Sequence, residues 1–402
     1  MKRYILFTSF FICSLITTIS AGICYDNPHR NVNKLVKVQC EEEYEVFKRD
    51  APKSPDDSMF EFTIECISTE EVCIKVKNEF EKAGKEIAKT IRFNTPVKVI
   101  AAFHDFCDIP EQTKDCQLII GQAGATRFIS MKDDDGINRL YPQPLVKQFQ
   151  FEKHPKFTDF DIFADFNANT SFWFEGDPKI QTTQVDFKTV VVHEMIHGLG
   201  FFNAYSQYTG YNATIPLNVK LDEENSFNNL NEIVENGMFL EFAMDKYTVL
   251  LKDGTPISYF FKKLNSYFVQ FNSTSINTTD FINSPQFKIA EKLYELSITP
   301  LTIGVLPKGA VNYKNAIPLE TSITEFNAGS TLGHVDFFTF YNTADFLMVA
   351  SAETWVGLTA QELVKLRGNY AGGLIGPKLK LVLENLGYAT DDNPNPYKPT
   401  PL

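Results

Sequence analysis

From Glu70 to Ile91 the apolar residues Val72, Val76, Phe80, Ala83, Ile87 and Ile91 recur at steps of three and four. That spacing predicts a helix with one apolar stripe. Apolar runs at Pro96–Phe103, around Leu118–Gln122 and at Asp161–Asn167 read as strands, with Trp173 and Phe174 soon after the last. Val190-Val191-Val192 and Ile196, Leu199, Phe201 and Phe202 then mark a second helix, apolar on every side and hence buried. Asp186 suits its N-cap, and Gly198 and Gly200 suit its end. Leu358–Arg367 and Pro377–Leu386 read as closing helices, the second framed by Pro377 and Gly387. This order predicts a mixed α/β protein of the α+β kind.

The same pattern divides the chain. Residues 22–57 are polar and rich in turn formers, and 58–202 hold the first helix, the strands and the buried helix. Residues 203–327 are an aromatic-rich excursion, too long for a loop and so expected to be a folded insertion. Residues 328–390 form a C-terminal lobe, and 391–402 a proline-rich, extended tail. There is no internal repeat.

Lys2 and Arg3, an apolar stretch from Tyr4 to Ile19, and small residues at Ser20, Ala21 and Gly22 read as a secretory signal over residues 1–21. No later segment is long and apolar enough to cross a bilayer, so a secreted protein with no integral membrane segment is expected. Loss of the signal removes two positive charges, taking the net charge from −12 to −14 (−12 − 2). Such an acidic chain repels phosphate backbones, which argues against nucleic acid as a partner.

Cys13 leaves with the signal. Cys24, Cys40, Cys66, Cys73, Cys107 and Cys116 remain, an even set that implies three disulfides in an oxidising compartment. Proximity favours 24–40, 66–73 and 107–116, and the absence of a C-x₂-C pair argues against a cysteine zinc site. Alternatively, cleavage at Lys48-Arg49 would release a short pro-segment in which Cys40 blocks a metal as a thiolate. N-x-S/T triplets at Asn169, Asn212, Asn272 and Asn277 suit a glycosylated surface.

The buried helix carries the chemistry, as His193-Glu194-Met195-Ile196-His197. Histidines four apart lie on one helix face and can reach one Zn²⁺, while Glu194 falls one step around, placed as a base toward a water at the metal. A catalytic zinc site needs a third protein ligand. The spacing H-E-x-x-H-x-x-G-x-x-H would put it at residue 203, but Asn203 stands there, and Asn ligates zinc poorly. Of His29, His104, His154 and His334, the last stands out. It follows the small residues Gly329-Ser330-Thr331-Leu332-Gly333, with Asp345-Phe346-Leu347-Met348 close behind. A carboxylate ligand from Asp222, Glu223 or Glu224 is the alternative.

These residues resemble a known family. His193-Glu194-x-x-His197-x-Leu199-Gly200-Phe201, a long insertion, Gly-x-x-x-Gly-His334 and Asp345-x-Leu347-Met348 look like the leishmanolysin-type metzincins and their secreted relatives. Tyr141-Pro142, Asp161–Asn167, Trp173-Phe174-x-Gly176 and Leu383-x-x-Leu386-Gly387-Tyr388 extend the resemblance over roughly residues 95–205 and 325–390. It implies a two-lobed zinc protease with a twisted sheet, an active-site helix and a long insertion before the C-terminal lobe. It makes His334 the third ligand and Met348 a packing residue beneath the metal. It also makes Ile162, Phe163, Ala164, Asp165 and Phe166 an edge strand along which an extended protein or peptide substrate pairs. Three departures are plain: the 136 positions from 198 to 333 make a longer insertion than that of leishmanolysin itself, the cysteine-rich C-terminal domain of that enzyme has no counterpart, and no tyrosine closely follows Met348. The function so implied is a secreted zinc endopeptidase with Glu194 as general base. A catalytically inactive, secreted zinc-fold binding protein is the alternative, against which the presence of Glu194 speaks.

Overall fold

The apolar stripe after Thr69 folds as a helix over Glu70–Ala88, with the Thr69 hydroxyl accepting from the Val72 backbone N–H. The computed structural model describes residues 22–28, 30, 34–44, 59–108, 116–219, 238–271 and 275–402. The signal region, Lys48-Arg49, Asn272, His29, Asp222, Glu223 and Glu224 lie outside the described residues.

Four strands form the sheet nearest the buried helix, in the order Phe60–Cys66, Val97–His104, Ile162–Asn167, Gly121–Ala125. The first three run parallel, and the last is antiparallel to Ile162–Asn167. Ile162–Asn167 is therefore not an edge strand. It is paired on both sides and buried along its whole length, which is why it reads as an apolar run rather than an alternation. The free edge is Gly121–Ala125, a stretch of small residues displaced by three positions from the strand expected at Leu118–Gln122. Its even-numbered positions bond inward, as Thr126 N–H does to Asp161 O and Ile120 O does to Asn167 N–H. Gly121, Ala123 and Ala125 consequently face outward.

A second, seven-stranded sheet runs Leu217–Asn218, Phe239–Phe242, Asn138–Pro142, Arg127–Lys132, Gly22–Asp26, Val36–Cys40, with Thr400–Pro401 also paired to Arg127–Lys132. The polar N-terminal segment, the first lobe, the excursion after residue 203 and the tail thus share one sheet. The sequence boundaries near 57, 203 and 391 cut across it. The rest of the excursion carries helices Ser258–Gln270, Thr278–Ile282 and Pro285–Ser297 and a small sheet of Thr248–Leu250, Ile303–Val305 and Ile317–Pro318.

The buried helix spans Phe187–Gly198 and packs on the Glu70–Ala88 helix and on the edge strand. Its first residue, Phe187, sits among the rings of Phe80, Phe103, Phe166, Phe172 and Phe174, with centroid distances of 4.8–6.0 Å. Such rings bury large apolar areas and meet edge to face, so this end of the helix is anchored in the core. The closing helices appear at Ala360–Leu366 and Pro377–Leu386, the latter ended by Gly387 at a φ of 122°. Cys24–Cys40, Cys66–Cys73 and Cys107–Cys116 are disulfide-bonded, the pairing that sequence proximity favours. Among the described residues no helix is long and apolar enough to cross a membrane.

Candidate metal centre

Asp186 caps the buried helix, its Oδ1 accepting from the Thr189 backbone and hydroxyl at 2.9 and 3.1 Å. Its Oδ2 accepts from Ala360 N–H at 2.9 Å, so one carboxylate fixes the starts of two helices. At the other end the helix closes after Gly198, and Gly200 takes a φ of +117° that turns the chain away. A Cβ at residue 198 would lie 2.6 Å from Ile162 Cγ2, so glycine there lets the helix settle onto the sheet.

His193 and His197 stand one turn apart on this helix. His334 comes from a segment pinned on both flanks: Val335 N–H donates to Met348 O at 2.8 Å, and Glu320 N–H donates to His334 O at 2.8 Å. The three Nε2 atoms form a triangle with every side 3.2 Å. Each Nδ1 meets a backbone carbonyl: His193 to Leu347 at 2.6 Å, His197 to Phe201 at 2.7 Å, His334 to Ser330 at 3.3 Å. A carbonyl can only accept, so each Nδ1 carries the proton and each Nε2 presents a lone pair. Three lone pairs therefore face one point with no hydrogen between them. Burial holds the rings neutral, pushing His193 down to about 3 and His197 to about 4, with His334 also well below the usual range. Repulsion between protons on neighbouring rings adds to the shift at His193 and His334.

This arrangement fits a cation. For zinc–nitrogen bonds of about 2.0–2.1 Å a tetrahedral face has edges of about 3.3–3.4 Å, close to the 3.2 Å sides observed. Among the described residues these three histidines are the group of metal-capable side chains that comes together. An all-imidazole set suits zinc, copper, iron or nickel and disfavours calcium and magnesium. His104 and His154 stand apart: His104 Nδ1 meets Asp105 O, and His154 stacks on Phe157 at 4.4 Å.

Glu194 lies beside the triad, buried, with its carboxylate accepting from the Ala123 backbone of the edge strand. Burial pushes its carboxyl up to about 8 against the pull of that N–H, and a cation at the triad would favour the ionised form. A Cβ at Gly121 would lie 3.2 Å from Glu194 Cγ and Oε1, which explains the small residues of the edge. Asn203, where a nearer third histidine would stand, spends its Oδ1 on Tyr205 N–H. Its Nδ2 is 3.9 Å from a Cβ placed at Gly333, so the His334 segment lies alongside that position.

Met348 is fully buried in the Phe346–Met348 turn, whose Leu347 carbonyl orients His193. Asp165, grouped above with a substrate strand, is instead buried in the sheet interior against Arg30 and Gln122. Asn169, Asn212 and Asn277 are exposed. Sequence reasoning missed Trp355, whose indole packs edge-on to His193 at 5.5 Å. As one of two tryptophans in the chain, seven positions after Met348, it carried a signal. The three orienting carbonyls left none, because any residue supplies one.

The site and sheets thus define an α+β protein with a buried three-histidine centre. A family model described as SPBPB7E8-like matches residues 24–401, and the chain belongs to that family. It is 26% identical over 376 residues to a Schizosaccharomyces pombe protein named "Uncharacterized protein PB7E8.01", covering 86% of this chain. The alignment spans 65% of the length of that relative. No solved structure matches the chain.

Proposed function

We propose that the protein is a secreted zinc-dependent endopeptidase of the leishmanolysin-type metzincin kind. The observation that carries the reading is the triangle of Nε2 lone pairs with a buried carboxylate one residue along the same helix. His193, His197 and His334 would hold Zn²⁺, which when bound polarises a carbonyl oxygen and makes a water acidic.

The chain's own groups supply the rest. Glu194 takes the proton of the attacking water and passes it to the departing amine. Ala123 N–H holds that carboxylate at the sheet edge, and its removal from bulk water raises its basicity toward neutral pH. The outward-facing N–H and carbonyl of Gly121 and the carbonyl of Ala123, whose own N–H is taken by Glu194, suit main-chain pairing with an extended substrate, so the docking role passes from Ile162–Phe166 to Gly121–Ala125. Such pairing stops short of Ala125, whose carbonyl accepts from Asn27 Nδ2. Three disulfides accord with export to an oxidising compartment.

The test is hydrolysis of an unfolded protein by the purified chain. Loss of cleavage on chelation and its return with zinc are expected. Cleavage that persists in the fully chelated protein would overturn the reading.

A further inference from the structure

Strand Gly121–Ala125 ends the four-stranded sheet, and its side chains alternate between two faces. Position 121 faces Glu194 and Phe166, on the side of the buried helix. Gln122 therefore faces the other way, level with Asp165 of the neighbouring strand. Gln122 Nε2 donates to Asp165 Oδ2 at 3.2 Å, and Arg30 pairs with the other oxygen of that carboxylate. An ion-paired carboxylate only accepts, so the amide is fixed with its nitrogen inward. Gln122 Oε1 is left without a donor among the described residues, on a side chain that is partly exposed rather than sealed. Arg30 and Asp165 cancel each other's charge, so this corner of the sheet is polar and neutral.

The ladder decides what would meet that oxygen. Gln122 turns its own N–H and carbonyl inward, while the groups of Gly121 and the Ala123 carbonyl lie at the free edge. An antiparallel substrate strand bonded to those two residues places one of its own beside Gln122, in a pair without backbone hydrogen bonds, where side chains stand closest. Paired residues share a face, so that side chain lies with Gln122, about 4.5–5.5 Å away between Cβ atoms. Ala123 is the residue whose N–H holds Glu194, so the position is close to the reacting bond. We infer that Gln122 is a specificity-determining residue, whose side-chain oxygen accepts from a hydroxyl or carboxamide side chain of the substrate. Contact with a peptide at this edge rests on the proposed peptidase reading; the hydrogen-bonding preference rests on the unspent oxygen.

The experiment uses the full-length, zinc-loaded Glu194→Gln protein, which binds without turnover. End-blocked hexapeptides carrying one Thr, or the equally shaped Val at the same place, are scanned through every position. At one position the Thr peptide should bind about three- to tenfold tighter than its Val partner, the size of one hydrogen bond. Gln122→Met, which keeps the length and loses the acceptor, should abolish that difference. Equal binding of every pair, the absence of binding included, overturns the inference, and so does a Thr preference undiminished in Gln122→Met. Should that variant not fold, Gln122→Ala takes its place under the same criterion. Cleavage of the same peptides by the Glu194-intact chain is measured alongside. A Thr preference without cleavage would sink the peptidase reading and leave the subsite standing; cleavage with no preference in binding would do the reverse.

Discussion

The Nδ1–H of His193 donates to the main-chain carbonyl of Leu347 at 2.6 Å, joining residues 154 positions apart. This bond fixes the tautomer that points Nε2 at His197 and His334, and it comes from a turn whose next residue, Met348, is fully buried. Truncating Met348 should loosen the turn and, through it, the ligand. Met348→Ala should cost about 2–5 kcal/mol of stability and weaken zinc binding by about 10–100-fold. Met348→Leu should stay within about 1.5 kcal/mol of wild type. Urea denaturation and zinc competition against a chelator measure both; wild-type zinc affinity in folded Met348→Ala would separate the turn from the site.

Gly198→Ala sets two effects against each other. Alanine favours a helix over glycine by about 1 kcal/mol. Its Cβ would meet Ile162 at 2.6 Å, in a side chain that is fully buried. Overpacking of about 1–3 kcal/mol wins, because Ile162 has no room to yield. The single variant should lower the melting temperature, and Ile162→Ala in the same chain should relieve part of the clash. Strictly additive losses would mean that the two residues do not press on each other.

Asp186→Ala removes a helix cap and strands the buried Ala360 N–H. The first costs about 0.5–2 kcal/mol and the second about 1–3 kcal/mol, so the loss should exceed that of an ordinary cap. Asp186→Asn keeps an acceptor oxygen for the cap and should lose less. Equal destabilisation by the two substitutions, read from urea midpoints, would show that the oxygen acceptors are not what matters.

The zinc-free protein should show a maximum of stability with pH. His193 and His197, held at about 3 and about 4, and His334, also lowered, bind protons more readily when unfolded, where the value is near 6.5. Their contribution is present above about 6.5 and is lost as pH falls. Glu194 runs the other way. Raised to about 8, it favours the folded state at low pH, and that contribution is lost as pH rises through about 8. Three histidines outweigh one carboxyl below about pH 6, so stability should climb from pH 4.5 to about 6.5 and then decline. Glu194→Gln should remove the alkaline decline alone. Midpoints that do not change with pH would contradict a buried, neutral triad.

Much of the centre was legible because side chains carried it. His193, Glu194 and His197 announced themselves by helical spacing, and Gly198 and Gly200 by where a helix must stop. The sheet was less legible. Ile162–Asn167 reads the same whether it is a central or an edge strand, since burial on both faces produces one apolar run. The true edge, Gly-Gln-Ala-Gly-Ala, has almost no hydrophobic pattern, because it is shaped by Glu194 and Phe163 pressing on it. Phe239–Phe242 joins Asn138–Pro142 across nearly a hundred residues, a pairing that no local pattern encodes. The cradle of Leu347, Phe201 and Ser330 carbonyls is backbone, and so is silent in the sequence.

Peptide-bond hydrolysis by the triad together with Glu194 is the proposal on which the other readings turn. The most direct measurement compares cleavage of a denatured protein by wild type and Glu194→Gln, each shown to hold one zinc per chain. Wild type should cleave and the variant should lose at least about a hundredfold, as befits removal of a general base. Equal cleavage by both, or none by the zinc-loaded wild type, would contradict the proposal.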